Sequence, residues 1–270
     1  MPAPDARLVA ESATLAYDRR VISEGLSLSI PDGSFTVIVG PNACGKSTLL
    51  RALARLLNPS DGAITLDGKA ISQYRAKEAA RMIGLLPQSS IAPDGITVVD
   101  LVGRGRYPYQ GLIRQWSSDD QEAVERAMRA TNVSELRARQ VDELSGGQRQ
   151  RVWAAMALAQ QTPILLLDEP TTFLDIAHQI ELLDLFADLH ADGNTLVAVL
   201  HDLNHAARYA THLIAMRDGR IVAEGEPRAV VTSALVRDVF GLEARVIEDP
   251  ATGTPLVIPE ARSTRDARSR

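Results

Sequence analysis

Phe35-Thr36-Val37-Ile38-Val39-Gly40-Pro41-Asn42-Ala43-Cys44-Gly45-Lys46-Ser47-Thr48 is the stretch that decides the fold. Its first five residues read as a buried strand, which runs straight into a glycine turn that fits G-x-x-x-x-G-K-[ST]. Beyond the turn, Leu49, Leu50, Leu53, Leu56 and Leu57 fall at helical period, and Asn58-Pro59 ends the pattern. In a strand, loop and helix of this kind, glycines let backbone N–H groups curl round phosphate oxygens at a helix N-terminus. Lys46 then meets the β- and γ-phosphates, and Ser47 is placed to ligate Mg²⁺.

Two further segments follow in order. Ile164-Leu165-Leu166-Leu167-Asp168-Glu169 is an apolar strand that ends in adjacent carboxylates. Alone it reads as a strand end. Beside a phosphate loop, Asp168 becomes a candidate to orient Mg²⁺ and Glu169 a candidate to polarise an attacking water. Upstream of it, Leu144-Ser145-Gly146-Gly147-Gln148 precedes a largely apolar helix expected from about residue 148 to 161. Ser145 and the two glycines make either a simple helix cap or a second anion-binding helix start, which lacks a lysine and is half of a site.

Around these motifs, residues 7 to 38 read as short strands with a turn at Pro31-Asp32-Gly33, and Ala63–Leu66 and Ile83–Leu86 as further strands. From about 97 to 160 the character is helical, with Ser118-Asp119-Asp120-Gln121 matching a capping box. Ile164–Leu167 and Leu196–Leu200, separated by a helix that carries Leu182, Leu183 and Phe186, imply a parallel sheet covered on both faces. Arg245–Ile247 and Leu256–Ile258 flank a turn and predict a hairpin, and residues 260–270 are expected to be a disordered tail.

With 270 residues, 45% of them hydrophobic, the chain can build a substantial core, as one large domain or two small ones. A net charge of −5 argues against a nucleic-acid partner. Cys44 is the only cysteine, so neither an intrachain disulfide nor a thiolate zinc cluster can form, and a reducing cytoplasm fits. Its place in the phosphate loop leaves two readings: a thiol whose alkylation blocks activity, or a small buried residue beyond reagent reach. The N-terminal stretch lacks the apolar region of a secretory signal, and no apolar run approaches the ~18 residues that span a bilayer. Any membrane role is expected to come through a partner.

The three ordered motifs make residues 7 to 225 resemble the ATP-binding-cassette (ABC) ATPase family. That resemblance implies an α/β P-loop NTPase fold with a RecA-like core, an N-terminal antiparallel β subdomain and a helical signature subdomain. One ATPase domain would span residues 1–230, with the helical subdomain inserted at about 89–160 and a C-terminal extension over 231–259. ATP and Mg²⁺ are the implied ligands, contacted by Gly40, Pro41, Asn42, Ala43, Cys44, Gly45, Lys46, Ser47 and Thr48. Ala43 departs from a position where the family often has glycine, so its backbone must tolerate a Cβ. Two chains are expected to meet head to tail, so that Ser145, Gly146, Gly147 and Gln148 of one close over ATP held by the other.

Residue by residue, Tyr17 resembles the aromatic that stacks on adenine, with a plain strand tyrosine as the other reading. Gln88 resembles the glutamine that joins Mg²⁺ and water to the helical subdomain. Asp175 resembles the aspartate that links the two sites, and His201 the switch histidine at the γ-phosphate; His205 and His212 read as structural. The stretches Gly103–Pro108, Thr171–Gln179 and Leu200–Asn204 look like the subfamily that imports iron(III)-siderophores, haem and vitamin B12, most of all the ferric-siderophore members. That implies a homodimer on the cytoplasmic face of the inner membrane, with integral-membrane permease subunits and, indirectly, a substrate-binding protein. Another cargo, or a stand-alone soluble ABC ATPase, is the alternative. Tyr107, Tyr109, Leu112 and Trp116 either contact the permease or fill the helical subdomain's own core.

Overall fold

The computed structural model describes residues 6–88, 91–111 and 116–260. Two long strands, β1 (Ala6–Tyr17) and β2 (Arg20–Pro31), pair antiparallel where short strands were expected. Register shifts between Ala10 and Leu15, next to Ser12 at φ +47°, break the apolar alternation, so continuous strands read as fragments. The chain then leaves for a second sheet through β3 (Phe35–Val39), and the glycine turn delivers it to α1 (Lys46–Leu53). It returns in β4 (Asp61–Leu66) and β5 (Lys69–Ala70), which complete a four-stranded antiparallel sheet of order β2-β1-β4-β5. Leu8, Leu15, Leu28 and Ile30 point from this sheet into one buried cluster with Leu49, Leu50 and Leu53 of α1.

Next come α2 (Ala76–Met82) and β6 (Ile83–Leu86), and then a helical stretch of α3 (Val98–Gly103), a 3₁₀ turn Arg104–Tyr109, α4 (Ser118–Ala130) and α5 (Gly146–Ala159). Its hub is Arg106, almost fully buried. It donates through Nε to Asp120 Oδ1 at 2.9 Å, and through Nη1 to the Ala159 carbonyl at 2.8 Å and Gln161 Oε1 at 2.9 Å. The guanidinium also stacks over the Tyr109 ring at 4.0 Å. Gly105 lets this turn approach α5, since a Cβ there would come within 2.3 Å of the Met156 carbonyl oxygen.

The capping box of α4 sits one residue earlier than Ser118–Gln121. Ser117 is the N-cap, and its Oγ accepts from the Asp120 N–H while the Asp120 carboxylate accepts from the Ser117 N–H. Arg106 fixes Asp120 in that place, which a local pattern does not reveal.

The second sheet is finished by β7 (Ile164–Asp168), α6 (Ile176–Ala191), β8 (Thr195–Val199), α7 (Leu203–Tyr209), β9 (His212–Arg217) and β10 (Arg220–Gly225). Its order is β10-β9-β3-β8-β7-β6, parallel throughout except for β10 at the edge. Every residue of β3, β7 and β8 is buried, as helices on both faces of a parallel sheet require. Two short helices, α8 (Pro227–Val230) and α9 (Ser233–Phe240), lead to an antiparallel hairpin of β11 (Ala244–Glu248) and β12 (Pro255–Pro259). Among the described residues no helix is long and apolar enough to cross a membrane. Of the tail expected to be disordered over 260–270, Glu260 is instead held, its N–H donating to the Glu243 carbonyl at 2.9 Å because it continues the hairpin ladder; residues 261–270 lie outside the described residues, as does Leu112.

Candidate functional site

Four neighbouring parallel strands end together. Ile38 of β3 and Asp168 of β7 both lie level with Val199 of β8, and Leu86 of β6 lies level with Leu167. The residues just beyond these strand ends, Gly40, Glu169, His201 and Gln88, therefore emerge at one edge, where open α/β sheets hold ligands. An open cleft of about 720 Å³ lies there, lined by Asn42, Ala43, Gly45, Lys46, Ser47, Thr48, Gln88, Glu169 and His201. Arg20 and Ile22 of β2 complete the lining, and sequence reasoning missed both, because nothing local says which strand runs beside the loop.

The loop's shape is dictated by what surrounds it. Gly40 has φ +153°, and a Cβ there would meet the Met216 carbonyl oxygen at 2.2 Å. Gly45 at φ +107° is the N-cap of α1 and has no side-chain cap, which leaves the helix's first N–H groups to the cleft. Gly219, in the turn between β9 and β10, donates its N–H to the Cys44 carbonyl at 3.0 Å. A Cβ on Gly219 would lie 2.0 Å from the Ile22 carbonyl oxygen. This glycine supports the loop at Cys44 from 175 residues away in sequence, and no motif marks it. Ala43 is held at φ +61°, the left-handed region that costs an L-residue about 1–2 kcal/mol, so the missing glycine is a real strain.

Five polar side chains of the cleft, Lys46, Ser47, Gln88, Glu169 and His201, have protein partners. Lys46, 4% exposed, donates to the carbonyls of Gly40 at 2.9 Å and Pro41 at 2.8 Å. Ser47 Oγ donates to Asp168 Oδ1 at 2.8 Å. Burial pushes the Asp168 carboxyl up from its ordinary value, against the pull of the Ser47 hydrogen bond. Glu169 follows β7 at φ +52°. One of its carboxylate oxygens lies 2.6 Å from His201 Nε2, and the other accepts from Gln88 Nε2, also at 2.6 Å. Cys44 is 5% exposed, and burial raises its thiol pKa, so the buried reading suits it and the reactive one does not.

The other candidates lie apart from this cleft. Tyr17 ends β1, half-exposed, with its hydroxyl accepting from Arg51 Nη1 at 3.1 Å, and it is not part of the lining. Ser145 caps α5, and Gln148 answers it in a capping box, so the helix begins at Gly146 rather than near 148 and ends at Ala159 rather than 161. Gly146 borders a second cleft of about 490 Å³ with Arg149, Trp153, Phe173 and Gln88, which faces both clefts. Gly147 packs on Leu174, and Gln150 Nε2 donates to the Pro170 carbonyl, which ties the start of α5 to the segment after Glu169. Asp175 caps α6 on the exposed surface; the His178 N–H and ring Nδ1 hold its carboxyl below the usual range.

The aromatics near residue 110 divide between their two readings. Tyr109 is half-buried and donates its hydroxyl to the Gln160 carbonyl, whereas Tyr107 and Trp116 are exposed on a groove of about 610 Å³ shared with Val99, Asp100 and Arg104.

The chain is similar to known proteins in sequence and in fold. The profile of a protein family described as ABC transporter matches residues 23–172. The ferric enterobactin transport ATP-binding protein of Escherichia coli K12 is 56% identical over 259 residues, which cover 96% of each chain. The petrobactin import ATP-binding protein FpuD of Bacillus anthracis is 52% identical, with 93% of each chain covered. Among solved structures, the dimeric form of MJ0796, a bacterial ABC transporter cassette, superposes with a TM-score of 0.74 at 27% identity, covering 81% of this chain and 98% of that one.

Proposed function

The chain belongs to the ABC transporter family, and on that premise we propose that it is the ATP-hydrolysing subunit of an importer for iron(III)-siderophore complexes. The ATPase reading is carried by one observation, the Glu169 carboxylate held at 2.6 Å by both Gln88 and His201 in the cleft of the phosphate loop. The cargo reading is supported by relatives whose names specify ferric enterobactin and petrobactin.

In the proposed mechanism Lys46 exchanges the carbonyls of Gly40 and Pro41 for the β- and γ-phosphate oxygens of ATP. Backbone N–H groups from Asn42 to Thr48 wrap the phosphates at the uncapped start of α1. Ser47 and Asp168, a hydroxyl and a carboxylate 2.8 Å apart, are the hard oxygen donors that Mg²⁺ prefers, and Gln88 reaches the same cleft. When bound, the metal neutralises charge on the β- and γ-phosphoryl oxygens. Glu169 takes a proton from water as the water oxygen attacks the γ-phosphorus and the bond to the β,γ-bridging oxygen breaks, which leaves ADP and inorganic phosphate. His201 and Gln88 orient that carboxylate by one oxygen each.

Ser145, Gly146, Gly147 and Gln148 stand outside the cleft of their own chain, which fits a role in closing over ATP held by a second copy. Asp175 would then link the two sites, and Tyr17 would stack on adenine. Tyr107 and Trp116 offer the exposed aromatic surface that a cytoplasmic helix of a permease needs, which supports a dimer held peripherally on the inner face of the plasma membrane. The test is reconstitution in liposomes with the permease that co-purifies, comparing ATP-dependent accumulation of ferric siderophore, haem and cobalamin. Uptake of haem or cobalamin alone would reassign the cargo, and uptake of none would end the importer reading.

A further inference from the structure

Beyond the reading just given, and resting on it, one contact joins the C-terminal hairpin to the helix that follows His201, the residue proposed to meet the γ-phosphate. His201 lies between β8 and α7, and α7 is only seven residues long. Its N-cap is Asp202, whose Oδ1 accepts from the N–H groups of Asn204 at 2.7 Å and His205 at 2.9 Å. So short a helix gains little from its own hydrogen bonds, and its position is set by what it packs on.

What it packs on includes β12. The Val257 N–H donates to Asn204 Oδ1 at 2.7 Å, and Asn204 Nδ2 donates back to the Val257 carbonyl at 3.3 Å. A planar amide offers one acceptor and one donor side by side, as a peptide group does, so Asn204 substitutes for a neighbouring strand on the open edge of β12. Val257 is buried, and leaving its two backbone groups unpaired would carry the full desolvation cost. The hairpin is fixed elsewhere by Arg228 Nη2, which donates to the Gly253 carbonyl at 2.7 Å, while the Glu260 N–H, donating to the Glu243 carbonyl at 2.9 Å, only extends the hairpin's own ladder. Val257 and Ala244 share one apolar cluster with Ala206 and Ala207 of α7.

We propose that Asn204 is a positioning residue: by pairing with the backbone of Val257 it clamps the C-terminal hairpin to α7 and so sets the reach of His201 toward Glu169 and the γ-phosphate. The hairpin is thereby part of the hydrolysis machinery, and anything that lifts β12 slows hydrolysis while ATP still binds.

Asn204→Asp tests this in the full-length chain. The change keeps the shape and the acceptor for the Val257 N–H but sets a carboxylate oxygen against the Val257 carbonyl. Hydrolysis is measured per nucleotide-binding site, which removes any effect of a misfolded fraction, alongside ATP affinity and hydrogen exchange at the Val257 amide. With only five histidines in the chain, selective ring labelling also resolves the His201 signal. The expected result is at least tenfold faster exchange at Val257, a fivefold or greater loss of kcat per site, ATP affinity within twofold, and a displaced His201 resonance beside unmoved His178 and His190 signals. Asn204→Ala gives the same readings should Asn204→Asp not fold, and Asn204→Gln should recover part of the rate. Unchanged kcat and an unmoved His201 signal with Val257 exchanging fast, or unchanged Val257 exchange, would overturn the clamp. A wild-type dimer that hydrolyses no ATP when assembled with its permease would instead overturn the ATPase reading beneath it.

Discussion

Gly219→Ala is a mutation far from any motif whose effect follows from the contacts of one turn. At φ +75° the alanine enters the left-handed region at a cost of about 1–2 kcal/mol, offset by about 0.4–1 kcal/mol from a stiffer unfolded chain. Its Cβ would start 2.0 Å from the Ile22 carbonyl oxygen and 3.2 Å from the Ser23 Cα, and relieving that overlap adds about 1–3 kcal/mol. The net loss is about 1–5 kcal/mol, centred near ~3 kcal/mol, for which the fall in Tm is roughly 6–12 °C in a chain of this size. Gly68→Ala is the control, because Gly68 has the same φ of +75° and nothing within 4 Å of the added atom, so it carries the backbone cost alone. The second expectation is functional. Gly219 donates to the Cys44 carbonyl and its Cα would lie 3.8 Å from a Cβ on Gly45, so the displaced turn drags the phosphate loop. ATP affinity, measured by calorimetry well below Tm, should fall about tenfold, or about 1.4 kcal/mol. Full ATP affinity in a variant destabilised by the expected amount would refute the idea that this turn props the loop; equal Tm losses for Gly219→Ala and Gly68→Ala would refute the overlap.

Glu169→Gln should bind ATP and accumulate as a closed dimer on size exclusion while hydrolysis drops about 10²–10⁴-fold, and turnover at the normal rate would remove Glu169 as the base. Ala43→Gly should raise the unfolding free energy by about 0.5–1 kcal/mol with ATP binding kept, since it exchanges left-handed strain for a freer unfolded chain; a lower unfolding free energy in denaturant titration would contradict that. Asp120→Asn breaks an ion pair buried on both sides and should cost about 3–5 kcal/mol at pH 7. Burial alone would raise the Asp120 carboxyl, but hydrogen bonds from Arg106 and Ser117 hold it below its ordinary value. Its contribution is therefore complete above about pH 4 and lost as pH falls further, so the gap between wild type and variant should close in acid melts. Iodoacetamide should modify Cys44 slowly in the native chain and fully in denaturant, and rapid native modification would contradict its burial.

The parts of the site legible in the sequence are those where chemistry and geometry sit within a few consecutive residues. Gly40 to Thr48 can be read because a strand, a turn and a helix start are all encoded there, and Asp168-Glu169 because the strand before them is buried along its whole length. What escaped depends on neighbours across the fold. Arg20 and Ile22 reach the cleft only because β2 runs beside the loop, and Gly219 matters only because its turn abuts Cys44. The capping box slipped by one position because adjacent serines and aspartates offer two registers, and Arg106, fourteen residues upstream of Asp120, selects one. Tyr107 and Tyr109 are two residues apart in one turn, yet one is exposed and the other packs under Arg106.

Backbone strain ties these threads together. Several left-handed residues in this chain are Asp or Asn, which tolerate that region at turns: Asp18, Asp67, Asn132 and Asp218. Of the left-handed residues that are neither Asp, Asn nor Gly, Ser12, Arg55 and Gln161 lie away from the site, whereas Ala43, Glu169 and Phe173 line one of the two clefts that share Gln88. Strain of this kind persists only where surrounding structure over-determines it. At Glu169 the determinants are visible: a fully buried strand fixes the residue before it, Gln150 holds the Pro170 carbonyl after it, and Gln88 and His201 each hold one carboxylate oxygen. The unusual φ is what turns the side chain of the residue after a buried strand out into the cleft. A relaxed backbone there would give a more stable strand end and misdirect the carboxylate. The start of α5 is bonded to this same segment, so a second copy that engages Ser145 and Gly146 would press on the loop that aims Glu169. On this reasoning the half-site proposed for Ser145 to Gln148 and the carboxylate of Glu169, proposed as the base, are mechanically one unit in the same chain, although they face different clefts.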